Sequence, residues 1–495
     1  MSSRPAAIVI GSGFGGLAAA IRLQARGYDV SVLEQLDAPG GRAYVHRQDG
    51  FTFDAGPTII TAPFLFDELW SLCGRTFADD VELKALDPFY RIRFDDGDCF
   101  EFSGDPEKMR REVARFSPED VAGVERFMGV SRQIYEVGFE QLGQVPFDRF
   151  SDMLKIAPDL FKLQGYRSVY GLVSKYIRDP RLRIVFSFHP LLVGGNPFTT
   201  TAVYSLISHL ERQWGVHYVM GGTGRLVNAM VELLRSLGGS IYYDCRVRQI
   251  AVDDNGRAAG VITADGELRR ASVVVSNADA ASTYRSLVPA RWLQRWRGTT
   301  LQRSRSSMSL FVWYFGTDRR YHEVPHHMIL MGPRYRGLLD DIFSRKVLAD
   351  DMSLYLHRPT ATDPGLAPEG CDAFYVLSPV PNLDGATDWS TVHEDYRRKV
   401  QERLEQTVLP RLGAHVATSR VMTPLDFRDR LSSYRGAAFG HEPILRQSAW
   451  FRPHNRSEDI KGLYLVGAGT HPGAGVPGVV ASAAVVDSMV PHVRA

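Results

Sequence analysis

The sequence predicts an α/β (mixed α+β) fold: a Rossmann-like nucleotide-binding domain, discontinuous in the chain, with a second domain inserted into it. Three observations predict it. Ala6–Ile10 is a short apolar run followed at once by G-x-G-x-x-G at Gly11, Gly13 and Gly16. A second glycine-rich segment, GLYLVGAGTHPGAGVPGVV, begins at Gly462 near the other end. Between them, the stretch from Tyr218 to Ala280 returns to a helix-and-strand pattern.

Taken in order, Ala6–Ile10 reads as a buried parallel strand. Gly11 permits a sharp turn, Gly13 leaves room for a pyrophosphate against backbone, and Gly16 lets the next helix pack close. Phe14 stands in that turn. Leu17–Arg26 is the helix, with its N-terminus aimed at the phosphates, and Gly27 ends it. Asp29–Leu33 is the second strand. Glu34 follows Gly11 by 23 positions, close to the spacing of the acid that binds ribose hydroxyls. A carboxylate there repels a 2′-phosphate, so FAD or NAD is favoured over NADP. Gln35 follows it.

PGGRAY at Pro39–Tyr44 and FTFDAGPTII at Phe51–Ile60 extend the pattern. Gly40 and Gly41 let backbone amides approach a ligand, and Arg42 is placed to meet a phosphate or a flavin edge. Gly56, Pro57 and Thr58 complete this group. The C-terminal glycine segment is of the kind that closes the flavin end, through Gly467, Pro477, Gly478 and Val479. FAD is therefore the expected cofactor.

Gly221, Gly222 and Gly224 open a helix with apolar Leu226, Val227, Met230, Val231 and Leu234. Strands follow around Ile241, Val247–Val252, Val261 and Ala271–Ser276, with Val247 placed for backbone contact to an adenine. The cofactor domain is expected to comprise residues 1–75, 218–285 and 455–495. Residues 76–217 and 286–454 form the substrate domain. Within the latter, 150–180 is helical: Met153, Leu154, Ala157, Leu160 and Phe161 keep helical spacing, and Lys155, Lys162, Arg167 and Lys175 lie between or beyond them. Such a basic amphipathic helix either lies in a membrane interface or is an ordinary helix with a solvated face.

With 495 residues the chain is too long for one core. A net charge of +2 points to no nucleic-acid partner. Cys73, Cys99, Cys245 and Cys371 are scattered, which argues against a disulfide framework or a zinc site and fits a reducing cytoplasm. MSSRPAA runs straight into the first strand, with no room for a signal peptide. Leu463–Val486 lacks Asp, Glu, Lys and Arg, but its glycines and prolines mark a loop and a helix start rather than a membrane span.

The residues now quoted, with SFHPLLVGGNPF (Ser187–Phe198), SLFVWYFG (Ser309–Gly316), APEGCDAFYVLSPVP (Ala367–Pro381) and QSAWFRPHNR (Gln447–Arg456), run nearly end to end. In these the chain resembles the bacterial-type phytoene desaturases of the flavin-containing amine oxidase superfamily. Amine oxidases carry an acid after the C-terminal strand; here Gly467-Ala468-Gly469-Thr470 stands in its place, as in carotenoid desaturases. The resemblance implies an FAD-dependent oxidoreductase acting on CH–CH groups. It would convert phytoene, a forty-carbon polyene precursor, to lycopene or neurosporene. Dioxygen or a membrane quinone would reoxidise the flavin, and the enzyme would be a cytoplasmic protein bound peripherally to the membrane. Other superfamily chemistries stay open: a thirty-carbon desaturase, a carotenoid isomerase or oxygenase, an amine oxidase, or a non-catalytic isoprenoid escort protein.

A hydrocarbon offers no hydrogen-bond handle, so recognition should rest on an apolar tunnel. Phe186, Phe188, Phe198, Phe311, Trp313, Phe315, Trp450 and Phe451 are candidates to line it. A carboxylate buried there could take the proton released in desaturation. Asp148, beside Arg149 at the start of the inserted helix, is the candidate. No histidines stand at metal-ligand spacing, and the adjacent His326 and His327 are expected to point apart.

Overall fold

The computed structural model describes residues 4–493. Strands from both ends of the chain and from its middle meet in one five-stranded parallel sheet. Its order is Leu463–Leu465, Val273–Ser276, Ala6–Ile10, Asp29–Leu33, Ser240–Tyr242. Ala6–Ile10 is central and buried from Ala7 onward, as a strand covered on both faces must be. The helix Phe14–Ala25 packs against Thr223–Ser236 and Val476–Met489. Around it a core forms with Leu17, Ile21, Val30, Leu226 and Val486. That helix starts three residues earlier than its composition suggests, because extended Gly13 serves as its N-cap and Phe14 is buried. A three-stranded antiparallel sheet, Val247–Val252, Ala258–Thr263 and Leu268–Arg270, joins the core containing Ile8 and Leu33.

The second layer is a seven-stranded sheet: Val416–Met422, Ser309–Thr317, Asp372–Val380, Leu354–His357, His327–Leu330, Tyr90–Arg93, Cys99–Phe102. All its pairs are antiparallel except His327–Leu330 against Tyr90–Arg93. Phe311, Trp313 and Phe315 point to one face and pack with Phe374, Trp389 and Tyr396. The intervening Leu310 and Val312 point to the other face, as the period of two requires, and border a cavity.

Residues 150–176 are not one helix. Phe150–Lys162 is helical, the chain then turns through Gln164 at φ 57°, and Val169–Val173 resumes under a Ser168 cap. Among the described residues no helix is long and apolar enough to cross a membrane.

The first helix can approach its strand only because Gly16 has no side chain: a Cβ there would lie 2.1 Å from the Gly11 carbonyl oxygen. Gly16→Ala is expected to cost about 1–3 kcal/mol through overpacking and to lower the melting temperature. An unchanged melting temperature would refute the close approach.

Candidate functional site

A single cavity of about 990 Å³ runs from the C-terminal edge of the parallel sheet, between the two layers, to the helix Phe150–Lys162. That is the place where open α/β sheets bind ligands.

Its first end is built from glycine turns. Gly11 sits at φ +89° and donates its N–H to the Leu33 carbonyl at 2.8 Å, which joins the two strand ends. Gly13, extended and without a side-chain cap, leaves the first N–H groups of the next helix directed at the cavity. Gly475 at φ +96° does the same for the helix Val476–Met489. Two positive helix ends thus face one space. Glu34, 4% exposed, accepts hydrogen bonds from the Ser12 N–H (2.8 Å), the Ser12 hydroxyl (2.6 Å) and the Leu36 N–H (2.9 Å). Gln35 donates to the Arg430 carbonyl at 2.9 Å. Arg42 follows the left-handed Gly40 and Gly41 and donates to the Ser433 hydroxyl at 3.0 Å. Its Nε is buried without a partner, and burial pulls its pKa down against the opposing pull of Asp279.

The second end is apolar. Leu206, Ile207 and Leu210 of the helix Leu206–Trp214 form one wall, and Leu310, Val312, Ile329 and Leu377 form the opposite one. Met153, Ile156 and Leu160 close it from the helix Phe150–Lys162. The other side of that helix leaves Phe150, Leu154 and Phe161 exposed, at 51%, 62% and 73%.

One polar island interrupts this chamber beside the glycine end. The Thr58 hydroxyl bonds the Tyr375 hydroxyl (2.8 Å) and the Tyr355 hydroxyl (3.3 Å), and Tyr375 donates to the Gly56 carbonyl (3.2 Å). Tyr355 is bonded to His327 Nδ1 at 2.7 Å. Tyr90 donates to Glu211 Oε1 at 2.7 Å, and His189 Nε2 shares a 3.1 Å hydrogen bond with Glu211 Oε2.

Of the residues singled out in the sequence, Gly11, Gly13, Phe14, Glu34, Gln35, Gly41, Arg42, Gly56, Pro57, Thr58 and Val247 all border the cavity, as do Pro477, Gly478 and Val479. Gly16 and Gly467 do not; they stand behind the wall, against Gly11 and against Asn277. Asp148 and Arg149 also lie off the wall. Asp148 is half-buried with its carboxylate 3.9 Å from Arg456, and Arg149 is exposed. The proposed aromatic lining is largely replaced. Phe188 borders the chamber, Phe186 packs with Phe100, Phe102 and Phe127, and Phe311, Trp313 and Phe315 face away. A strand buried on both faces carries no polar residue to mark which face is which.

His326 and His327 do not point apart. Cross-strand pairing sets His357 opposite His327, and ring nitrogens of all three histidines lie within 4.8 Å of one another. His357 Nε2 and His326 Nε2 share a hydrogen bond at 3.1 Å, and His326 Nδ1 bonds the Thr362 hydroxyl at 2.7 Å. Sequence reading missed Asn277, whose side chain underlies Gly11, Gly13, Gly15, Gly16 and Gly467, and it missed the Glu211 island. Their partners are too distant in the chain for spacing to reveal them.

A glycine cradle with a buried carboxylate and arginine, joined to an apolar chamber, is the plan of a flavin oxidoreductase. The chain belongs to the flavin containing amine oxidoreductase family, whose pattern matches residues 14–485. It is 50% identical over 483 residues to the lycopene-forming phytoene desaturase of Pseudescherichia vulneris, covering 97% of this chain and 98% of that one. It is 48% identical over 490 residues to the neurosporene-forming phytoene desaturase of Rhodobacter capsulatus, covering 98% and 94%. Among solved structures, a redesigned putrescine oxidase superposes with a TM-score of 0.65 at 13% identity over 98% of this chain and 97% of that one, a likeness of fold. The protein is an FAD-dependent oxidoreductase. The orphaned Arg42 Nε and the two uncapped helix starts fit such a dinucleotide.

Two outcomes follow. Gly13→Val places a side chain in the mouth of the cradle, where a Cβ already meets Asn277 at 2.8 Å. Purified protein is expected to lose its flavin absorbance, and retention of a full complement of FAD would refute the cradle. Burial lowers the pKa of His46 and His471 to about 4, and of His326 and His441 to about 3, from 6.5. The unfolded chain therefore binds more protons, and stability falls as pH drops below 6.5 toward about 4. Melting temperatures measured across that interval should fall steadily; a flat profile would refute the buried neutral state.

Proposed function

We propose that this protein is an FAD-dependent phytoene desaturase, introducing successive double bonds to give lycopene or neurosporene. The observation that carries the reading is the continuity of one cavity from a dinucleotide cradle into a hydrocarbon-walled chamber. The names of relatives 48–50% identical over nearly the whole chain support the substrate. The sheet that joins Ala6–Ile10, Asp29–Leu33, Ser240–Tyr242, Val273–Ser276 and Leu463–Leu465 supports a division into a cofactor domain (1–75, 218–285, 455–495) and a substrate domain (76–217, 286–454).

In this reading the Gly11–Gly16 turn holds the pyrophosphate against the helix N-terminus, Glu34 accepts from the ribose hydroxyls, and Val247 meets the adenine by its backbone. Arg42, Gly56–Thr58 and Pro477–Val479 border the flavin. Bound FAD supplies the acceptor for a hydride from a carbon whose cation is delocalised over neighbouring double bonds. The protein's share is register and exclusion of water. Leu206, Ile207, Leu210, Leu310 and Val312 offer the chain no polar contact, so its position is set by the shape and length of the chamber.

The substrate dissolves in lipid, and the chamber meets the surface beneath a helix whose outer side is apolar. Phe150, Leu154, Phe161 and Tyr166 are exposed, with Lys155 and Lys162 among them. We read this as a membrane-docking entrance, the protein being cytoplasmic and peripheral. Dioxygen or a quinone then takes the electrons.

Purified protein with FAD and phytoene-loaded liposomes, in air and then without oxygen but with a quinone, is expected to yield red-shifted polyenes whose longest chromophore counts the steps. Unchanged phytoene with FAD bound under both acceptors would overturn the substrate. Leu154→Glu with Phe161→Glu is expected to reduce sedimentation with anionic liposomes at least several-fold while FAD content is kept; undiminished sedimentation would refute the docking face.

A further inference from the structure

Removing two hydrogens from neighbouring carbons as a hydride and a proton requires a proton acceptor inside a largely apolar chamber. Four carboxylates border the cavity among the described residues: Glu34, Glu211, Asp279 and Asp426. Three are committed elsewhere. Glu34 is held by Ser12 and Leu36. Asp279 caps a helical turn through the Ser282 N–H at 3.1 Å and lies in the field of Arg42. Asp426 accepts from the Thr423 N–H at 2.7 Å and its hydroxyl at 2.9 Å.

Glu211 differs in every respect. It sits on the helix Leu206–Trp214, one residue past Leu210 and four past Ile207, so it shares their wall of the apolar chamber. Its side chain and that of His189 are each 1% exposed. Each carboxylate oxygen accepts one hydrogen bond, from Tyr90 and from His189, and keeps a second lone pair. The backbone and arginine contacts that hold the other three acids are absent here among the described residues. A carboxylate with two donors and apolar neighbours is fixed in place yet incompletely solvated, which suits a base for a carbon acid.

Resting on the desaturase reading, we infer that Glu211 is the catalytic residue that accepts the substrate proton, with His189 and Tyr90 as its positioning residues. The C–H bond next to the site of hydride loss breaks, and its electron pair becomes the second bond of the new C=C. The proton ends on a Glu211 oxygen. The other hydrogen and both electrons leave with FAD. Glu211 returns to the carboxylate when the terminal acceptor, dioxygen or a quinone, takes two electrons and two protons per double bond.

The test compares wild type, Glu211→Gln, Glu211→Asp and Glu211→Ala holoenzymes on phytoene-loaded liposomes. FAD content and the phytoene retained by cofactor-free protein are measured beside the rate. The glutamine variant is expected to lose about 10²-fold or more in rate, the typical worth of a positioned base, with FAD and phytoene retention kept. Aspartate should fall between glutamine and wild type, and added formate should restore part of the rate of the alanine variant. A wild-type rate in Glu211→Gln, an aspartate variant no better than glutamine, no response of Glu211→Ala to formate, or a loss of phytoene retention matching the loss of rate each overturns the assignment. Inactivity of the wild type with FAD bound overturns the desaturase reading, and this inference with it.

Discussion

Around the Asn277 side chain, glycines from the two ends of the molecule come together. A Cβ at Gly13, Gly15 or Gly467 would lie 2.8 Å from it, and one at Gly16 would strike the Gly11 carbonyl. Interiors packed at crystal density leave no slack for such atoms. The contact holds the turn after Ala6–Ile10, the end of Val273–Ser276 and the end of Leu463–Leu465 in one block. From it follow the parallel order of the first sheet, the direction of two helix N-termini into one space, and the seat of Glu34 between the strand ends. A dinucleotide site made of backbone needs its backbone fixed, and here the absence of side chains fixes it.

The other half of the cavity obeys a different constraint. A hydrocarbon is recognised by what the wall lacks, so any polar group left there must be satisfied by the protein itself. The Thr58–Tyr375–Tyr355–His327 run and the Tyr90–Glu211–His189 triad meet most of this requirement by bonding internally, while the Tyr335 hydroxyl, His189 Nδ1 and His327 Nε2 are buried without a partner among the described residues. Burial keeps the pKa of His326, His327 and His357 far below the ordinary value, so the cluster is neutral near the chamber. The Thr58, Tyr355 and Tyr375 hydroxyls place a bonded polar group beside Gly56.

The helix Phe150–Lys162 is under both demands at once. Its inner residues complete the chamber, while its outer ones leave phenylalanine and leucine in water, a patch that soluble surfaces rarely keep without use. The apolar residues of this helix are thus divided between the cavity wall and the exposed surface.

The local sequence alone determined the parallel sheet's first turn, the cofactor class and the return of the chain at Tyr218–Ala280. Each depends on glycines, a carboxylate and apolar runs at fixed short spacing, and the backbone conformations they permit are local properties. The substrate class became legible only through resemblance along the whole chain. Tertiary structure decided the rest. It turned Phe311, Trp313 and Phe315 away from the chamber and Leu310 and Val312 into it, by strand parity that an apolar run does not record. It drew His357 beside His327 across a strand pair. It also set Glu211, 121 positions from Tyr90 and 22 from His189, on the chamber wall while leaving Asp148 beside Arg456 outside it. A buried carboxylate acquires its character from neighbours brought by folding, and no spacing in the chain encodes them.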